Sequence, residues 1–371
     1  MTKFTKNTII IFFGIIFAFL LLPKISQASV LGDLAASMQP GTWAQLGSYS
    51  SLRAATADED GWATFEYSYR MFWTRTGALG TGKIIHLGSG HSSGEWHLVQ
   101  YDEFTNSWSR QTNANLGCHI HSYDMFTVNN SNDNIYALCL SNSFQRWSGS
   151  SWQSLASWPG GYPALMAIAY FPETGKIWAA NGWNGDDLRS YNLSNNTWTD
   201  VGGSYNIREN LDMIYSPIHK RVVFSGGDGS TQIYVIDTNS NVTASTKNTP
   251  YNWRVKTTLA DYDPITGDIL LFFSEDNTIR RYNPVADTLT NLGSFGSQPP
   301  FTLENIYSPS EYWGHGVILG TIPDYNVIMI AEDTSGGVWL YKPSGTPTPP
   351  DTQVPTTPTN LSATAVSSSQ I

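Results

Sequence analysis

The chain has 371 residues, with 20 Lys and Arg against 30 Asp and Glu, a formal charge of −10, and only 13% charged residues. Ordinary chains are about 25% charged, so this surface is built largely of Ser, Thr, Asn and Gly, while 14 Trp, 19 Tyr and 16 Phe supply unusual aromatic content. Low charge with many aromatics excludes disorder for most of the length. An acidic chain with no Lys/Arg cluster argues against nucleic acid or an anionic membrane surface as partner.

In chain order, Lys3 and Lys6 precede an apolar run over residues 9–22, followed by Pro23, Lys24 and Ser26-Gln27-Ala28-Ser29. A basic start, an apolar middle and a Ser-x-Ala site predict a secretory signal peptide over 1–28, cut after Ala28. The rival is a retained anchor, but the run falls short of the roughly 20 residues that span a bilayer. No later stretch is apolar enough to span, so no membrane span is expected after cleavage and the protein is expected outside the cell or at its surface. Cys118 and Cys139 are the only cysteines. In an exported chain such a pair predicts a disulfide. The alternative makes Cys139 a small buried side chain within the apolar run 135–140. Two cysteines without a CxxC offer no zinc site.

The body of the chain repeats. Tyr101-Asp-Glu-Phe-Thr-Asn-Ser-Trp108 aligns with Tyr191-Asn-Leu-Ser-Asn-Asn-Thr-Trp198, Ile236-Asp-Thr-Asn-Ser-Asn-Val-Thr243 and Tyr282-Asn-Pro-Val-Ala-Asp-Thr-Leu289, and Trp147 to Trp152 is a shorter version. The motifs end at 108, 152, 198, 243 and 289, so the intervals are 44, 46, 45 and 46 residues. Before each motif lies a run that is apolar at successive positions, such as Lys176-Ile-Trp-Ala-Ala180 or Asp268-Ile-Leu-Leu-Phe-Phe273. Such a run suits a strand buried on both faces. Before each run stands another strand ending in a turn, as in Pro172-Glu-Thr-Gly175. Four antiparallel strands in about 45 residues make the blade of a β-propeller.

The predicted fold is therefore all-β, a monomeric propeller over 40–342 with six four-stranded blades. The sixth unit lacks its outer strand, which Thr42-Trp-Ala-Gln-Leu-Gly47 near the N-terminus supplies, having the Trp-x-x-Leu look of Trp152-Gln-Ser-Leu155. Such closure leaves no open edge. The longer first and last units leave a seventh blade as the alternative count. Most Trp and Tyr are expected to pack blade against blade. A Pro/Thr-rich linker follows over 343–357, and residues 358–371 read as one alternating strand, too little to fold alone.

The Tyr-Asp/Asn…Trp motifs, Phe224-Ser-Gly-Gly227 and Leu87-Gly-Ser-Gly-His-Ser-Ser-Gly-Glu-Trp96 resemble the kelch-type, galactose-oxidase-like propellers. Only one blade keeps the Gly-Gly doublet. The tail resembles the opening strand of a fibronectin type III domain. Secreted propellers joined to such modules are associated with cell surfaces and carbohydrate, so the resemblance implies a location more than a reaction.

In a four-stranded blade the start of the inner strand and the connection between second and third strands share one face. That face collects His91, His119, His121, Tyr162, Trp183, Arg208, Arg254, Trp313 and His315, in a chain where charge is scarce. The bland alternative is that loops are polar because they are solvated. The functional expectation is a binding module for an extracellular glycan or protein ligand, with His91, His121, Tyr162, Trp183, Arg208, Arg254, Trp313 and His315 as binding residues. Its alternative is a polysaccharide lyase on uronate glycans, with His91, His121 and Tyr162 as acid and base and Arg208 and Arg254 neutralising the carboxylate. A copper radical oxidase needs a Tyr–Cys cross-link, and both cysteines are otherwise committed. No cofactor is expected. The one cation considered is Ca²⁺ at the Asn/Asp-rich stretch 181–187, whose spacing is not that of an EF-hand and suits an Asx turn.

Overall fold

The computed structural model describes residues 29–47, 49–56, 69–74, 83–89, 96–111, 116, 125–163, 165–183, 187–255, 257–294, 317–332 and 337–343. The expected signal peptide over 1–28, the tail from 344 onward, and His91, Cys118, His119, His121, Trp313 and His315 lie outside the described residues.

The described chain opens with helix α1 (Val30–Ser37), strand β1 (Thr42–Gln45) and helix α2 (Tyr49–Thr56). Ser29 caps α1, its hydroxyl accepting the Gly32 amide at 2.8 Å, which satisfies one of the orphan donors of the first turn. Leu31 and Ala35, one turn apart, face inward.

The first blade comprises β2 (Phe72–Thr74), β3 (Lys83–Ser89), β4 (Trp96–Asp102) and β5 (Ser107–Arg110). The second comprises β6 (Phe126–Asn129), β7 (Asn134–Leu138), β8 (Phe144–Trp147) and β9 (Trp152–Ser154). The third runs through β10 (Ala167–Phe171), β11 (Lys176–Asn181), β12 (Asp187–Asn192) and β13 (Thr197–Asp200). In the fourth stand β14 (Met213–Ser216), β15 (Arg221–Ser225), β16 (Gln232–Ile236) and β17 (Val242–Asn248). The fifth holds β18 (Thr258–Tyr262), β19 (Ile269–Phe273), β20 (Thr278–Asn283) and β21 (Thr288–Ser294). The sixth has β22 (Val317–Ile322), β23 (Val327–Glu332) and β24 (Gly337–Lys342), and β1 is its outer strand.

All six sheets are antiparallel and four-stranded. Closure is as predicted: Trp43 pairs with Tyr341 and Ala44 with Leu340. The ring is complete at six blades. The inner strands of the last and first blades adjoin, with the Leu319 amide donating to Tyr69 O and the Met71 amide to Leu319 O.

Burial falls outward along each blade. Every residue of β19 is buried, whereas the outer strand β21 alternates between half-buried and exposed. A second strand is sandwiched by neighbouring blades on both faces, which is why its apolar run shows no alternation. The apolar clusters lie between blades. One joins Ile85 and Leu98 to Phe126 and Ile168, another joins Val223 to Leu271. Among the described residues, the reversals from first to second strand in the second to sixth blades turn on a residue with positive φ: Asp133 (55°), Gly175 (63°), Lys220 (53°), Gly267 (79°) and Asn326 (55°).

The repeat motif has two structural jobs. Its ends are cross-strand partners, Tyr101 with Trp108 and Tyr191 with Trp198, with ring centroids 5.1 and 5.0 Å apart. In the fourth blade the turn is one residue shorter, so Ile236 pairs with Val242 rather than Thr243. The second job falls to the residue five after the Tyr, held at positive φ: Asn106 (49°), Asn196 (57°) and Asp287 (50°). Each accepts the hydroxyl of its own Tyr and reaches to the outer edge of the preceding blade. Asn106 donates to Leu46 O, Asn196 accepts the Ala156 amide, and Asp287 accepts the Thr246 amide and the Ser245 and Thr246 hydroxyls. The motif fastens one blade to the next.

Inner strands surround a central channel. Arg70, just before β2, crosses it to pair with Asp212 and stands 3.6 Å from Asp261. Asp212 also accepts the Trp253 indole N–H at 3.1 Å. Among the described residues, no helix is long and apolar enough to cross a membrane.

Candidate functional site

The face where inner strands begin is organised by buried polar side chains in the loops. Asn181, at the end of β11, is 2% exposed. Its amide nitrogen donates to Tyr162 O at 3.1 Å, and its carbonyl oxygen accepts the Trp183 amide at 3.0 Å. This Asx turn, in a stretch considered for Ca²⁺, orients two aromatic residues. Tyr162 and Trp183 are 47% and 43% exposed, and their rings stand edge to face with centroids 6.3 Å apart. Among the described residues, no group of three or more His, Cys, Asp or Glu is placed to hold a metal.

Between them and the next blade, Gly182 packs against the Arg208 backbone so closely that a Cβ there would lie 2.1 Å from the Arg208 carbonyl carbon. Only glycine permits this approach. It brings the Arg208 backbone against the residue preceding Trp183. The Arg208 amide donates to Gly226 O at 2.8 Å, while its side chain is exposed and has no ion-pair partner among the described residues. Gly227 (φ 77°) repeats the device, lying against Glu209 O and Arg208 O, and the next amide, Asp228, donates to Glu209 O at 2.8 Å.

Asp228 then ties in the fifth blade. Its carboxylate accepts Arg254 at 3.2 Å and the Asn210 amide group at 2.5 Å. Asn210 is fully buried at positive φ (59°), and its side-chain oxygen has no hydrogen-bond partner among the described residues. Beneath this group sits Tyr69, whose hydroxyl is pushed far up by burial. Arg254 opposes the shift, while Asp228 and Asp212 add to it. It is a neutral donor at any ordinary pH.

Tyr162, Trp183, Arg208 and Arg254 thus form one arc across the third, fourth and fifth blades. The remaining sequence-derived binding residues, His91, His121, Trp313 and His315, lie outside the described residues. Cys139 ends β7 on the same face, is fully buried and is disulfide-bonded, and the chain has only one other cysteine, Cys118. Arg254 differs from Arg208 in being matched by Asp228. A guanidinium so engaged is less available to neutralise a substrate carboxylate.

Sequence reasoning passed over Asn210 and Asp228 as organisers, and over Arg70, Asp212 and Asp261 in the channel, whereas Asn181 lies in the stretch expected to form an Asx turn. The available signal for Asp212 and Asp261 was a carboxylate inside an otherwise apolar inner strand, Leu211-Asp-Met-Ile214 and Leu259-Ala-Asp-Tyr262. Such a group must find a partner on another blade.

No protein-family model matches this chain, and no curated protein sequence is similar to it. Likeness is found among solved structures. A protein of unknown function from Bacteroides thetaiotaomicron VPI-5482 superposes with a TM-score of 0.51 at 11% identity, over 81% of this chain and 75% of that one. A chain of a mitotic checkpoint complex gives 0.48 at 9% identity over 86% and 94%. A chain of a nidogen–laminin complex gives 0.43 at 5% identity over 61% and 78%. At such identity the first likeness is one of fold.

Proposed function

We propose that this propeller is an exported binding module that takes a carbohydrate on the face where its inner strands begin. The observation that carries the reading is the exposed Tyr162–Trp183 pair on the same face as the exposed Arg208, which has no ion-pair partner among the described residues. An aromatic face stacks on the apolar face of a sugar ring, and fixed polar groups at the rim supply orientation. Arg208 adds a planar donor fork suited to a sugar carboxylate or vicinal hydroxyls. The groups below are already spent on one another, Asp228 on Arg254 and Asn210, which gives a rigid platform rather than a set of free acids and bases. The kelch-like motifs and the leader support the same placement, outside the cell and next to glycan.

The test is incubation with acidic and neutral polysaccharides, with pull-down of bound glycan and ultraviolet absorbance of unsaturated uronate followed in parallel. Retention of a glycan without new absorbance is the expected outcome. Growing absorbance, abolished by His121→Ala or His91→Ala, makes the protein a lyase instead. Retention of none removes the carbohydrate reading.

A further inference from the structure

The central channel holds a cavity of about 290 Å³ below the Arg70 crossing, lined by residues of all six blades. One end is lined by Arg70, Met71 and Asp261, all buried. Its other end is ringed by Tyr170, Tyr215 and Tyr262 and by Pro172, Pro217 and Pro323, where the first-to-second-strand turns meet solvent. This end opens on the face opposite the Tyr162–Trp183 arc. The volume stands at the lower end of the range for small-molecule sites, roughly 300–1,000 Å³.

Among the described residues of the channel, one guanidinium, Arg70, serves two carboxylates: it pairs with Asp212 and stands 3.6 Å from Asp261, an ion pair longer than a hydrogen bond. The Asp261 carboxylate lines the cavity, accepts the Tyr262 and Thr321 amides at 2.8 Å each and is also stabilised by the Thr321 side chain. Burial pushes its carboxyl up, and Arg70 and the neighbouring donors only partly pull it back. At the rim, Glu173 accepts the Tyr215 hydroxyl on both carboxylate oxygens, at 3.1 and 3.0 Å. The wall thus combines the Asp261 carboxylate at depth with tyrosines nearer the mouth, and Glu173 stands next to the lining residue Pro172 on the Tyr215 hydroxyl. Aromatic faces attract cations.

We propose that this channel is a second binding site, independent of the glycan face, and that its ligand is a small organic cation bearing an ammonium group. The ammonium lies against Asp261 and the alkyl part between the tyrosine rings.

The probes are n-butylammonium, butyrate and 1-butanol, added to the intact protein and followed by calorimetry and by the NMR signals of the channel tyrosines. Butylammonium is expected to bind saturably, on the order of millimolar for so few atoms, shifting Tyr170, Tyr215 and Tyr262, while the other two do not bind. Asp261→Asn is expected to weaken it at least about tenfold, as for loss of a charged partner, with Glu173→Gln on the exposed turn weakening it less and Trp183→Ala leaving it unchanged. Should Asp261→Asn not fold, the Glu173→Gln titration and the probe series on the parent protein decide. The proposal is overturned if butylammonium fails to saturate, if butyrate or butanol binds as well, or if the shifts appear at Trp183 instead of the channel.

Discussion

At the scale of single residues, Asp287 shows how the repeat motif works. Desolvation alone would raise its carboxyl, but the Ser245 and Thr246 hydroxyls, the Thr246 amide and the Tyr282 hydroxyl together hold it at about 2. A carboxyl lowered on folding contributes its full stability above the unfolded value of 3.8 and loses it as pH falls through the folded value. The clasp is therefore intact above about pH 4 and lost near pH 2. Asp287→Ala is expected to cost about 1–2 kcal/mol near neutrality, discounted for its exposure to solvent, and to flatten the acid dependence of the melting temperature between those limits. A parent and variant with the same acid dependence would refute the clasp. The Tyr and Trp of the motif were legible as packing. The Asn or Asp between them was not, because its partner belongs to a blade some 40 residues earlier and its positive φ has no signature beyond residue type.

At the scale of elements, closure by β1 is the most economical use of sequence in the fold. Its backbone bonds to β24 are extended by the Leu46 amide on Val338 O and the Gly41 amide on Lys342 O, both at 2.7 Å. Helix α1 locks the same corner. Lys342 Nζ donates to Ala35 O at 2.8 Å, and Ser29, Tyr325 and Glu103 form a hydrogen-bonded chain from the helix cap to the first blade. Trp43 is half-buried, its ring 4.8 Å from Tyr341 and 6.1 Å from Phe272. Trp43→Ala is accordingly expected to cost about 2–3 kcal/mol, less than a fully buried aromatic. Deleting residues 30–47 exposes the edge of β24 and should lower the melting temperature far more than the point change. A deletion variant that melts like the parent would contradict closure. The strand was readable from Trp43 and Leu46 because it copies a known outer strand. Helix α1 was not read, because its inward positions amount to little more than one turn.

At the scale of the whole molecule, six copies of one packing problem make the architecture legible: second strands buried between neighbouring blades, with Tyr and Trp paired across the third and fourth strands in the first, third and sixth. The assignment of residues to a face was legible for the same reason, since antiparallel connections place inner-strand starts beside second-to-third loops. Tyr162 and Trp183, Arg208 and Arg254 are gathered accordingly. What could not be read is anything decided on the axis. Arg70, Asp212 and Asp261 come from three blades and meet only when the ring closes, so no spacing along the chain announces them. The same holds for Arg254, whose charge is matched by an Asp228 contributed by a different blade.

The central claim, a glycan site built on the Tyr162–Trp183 pair and Arg208, is tested most directly by titrating one retained glycan against the parent protein, Trp183→Ala and Arg208→Ala, all with unchanged melting temperatures. Loss of a stacking ring or of a charged hydrogen bond at an exposed site predicts weakening by about tenfold or more for each. Equal affinity in all three proteins would place the glycan elsewhere and contradict the account.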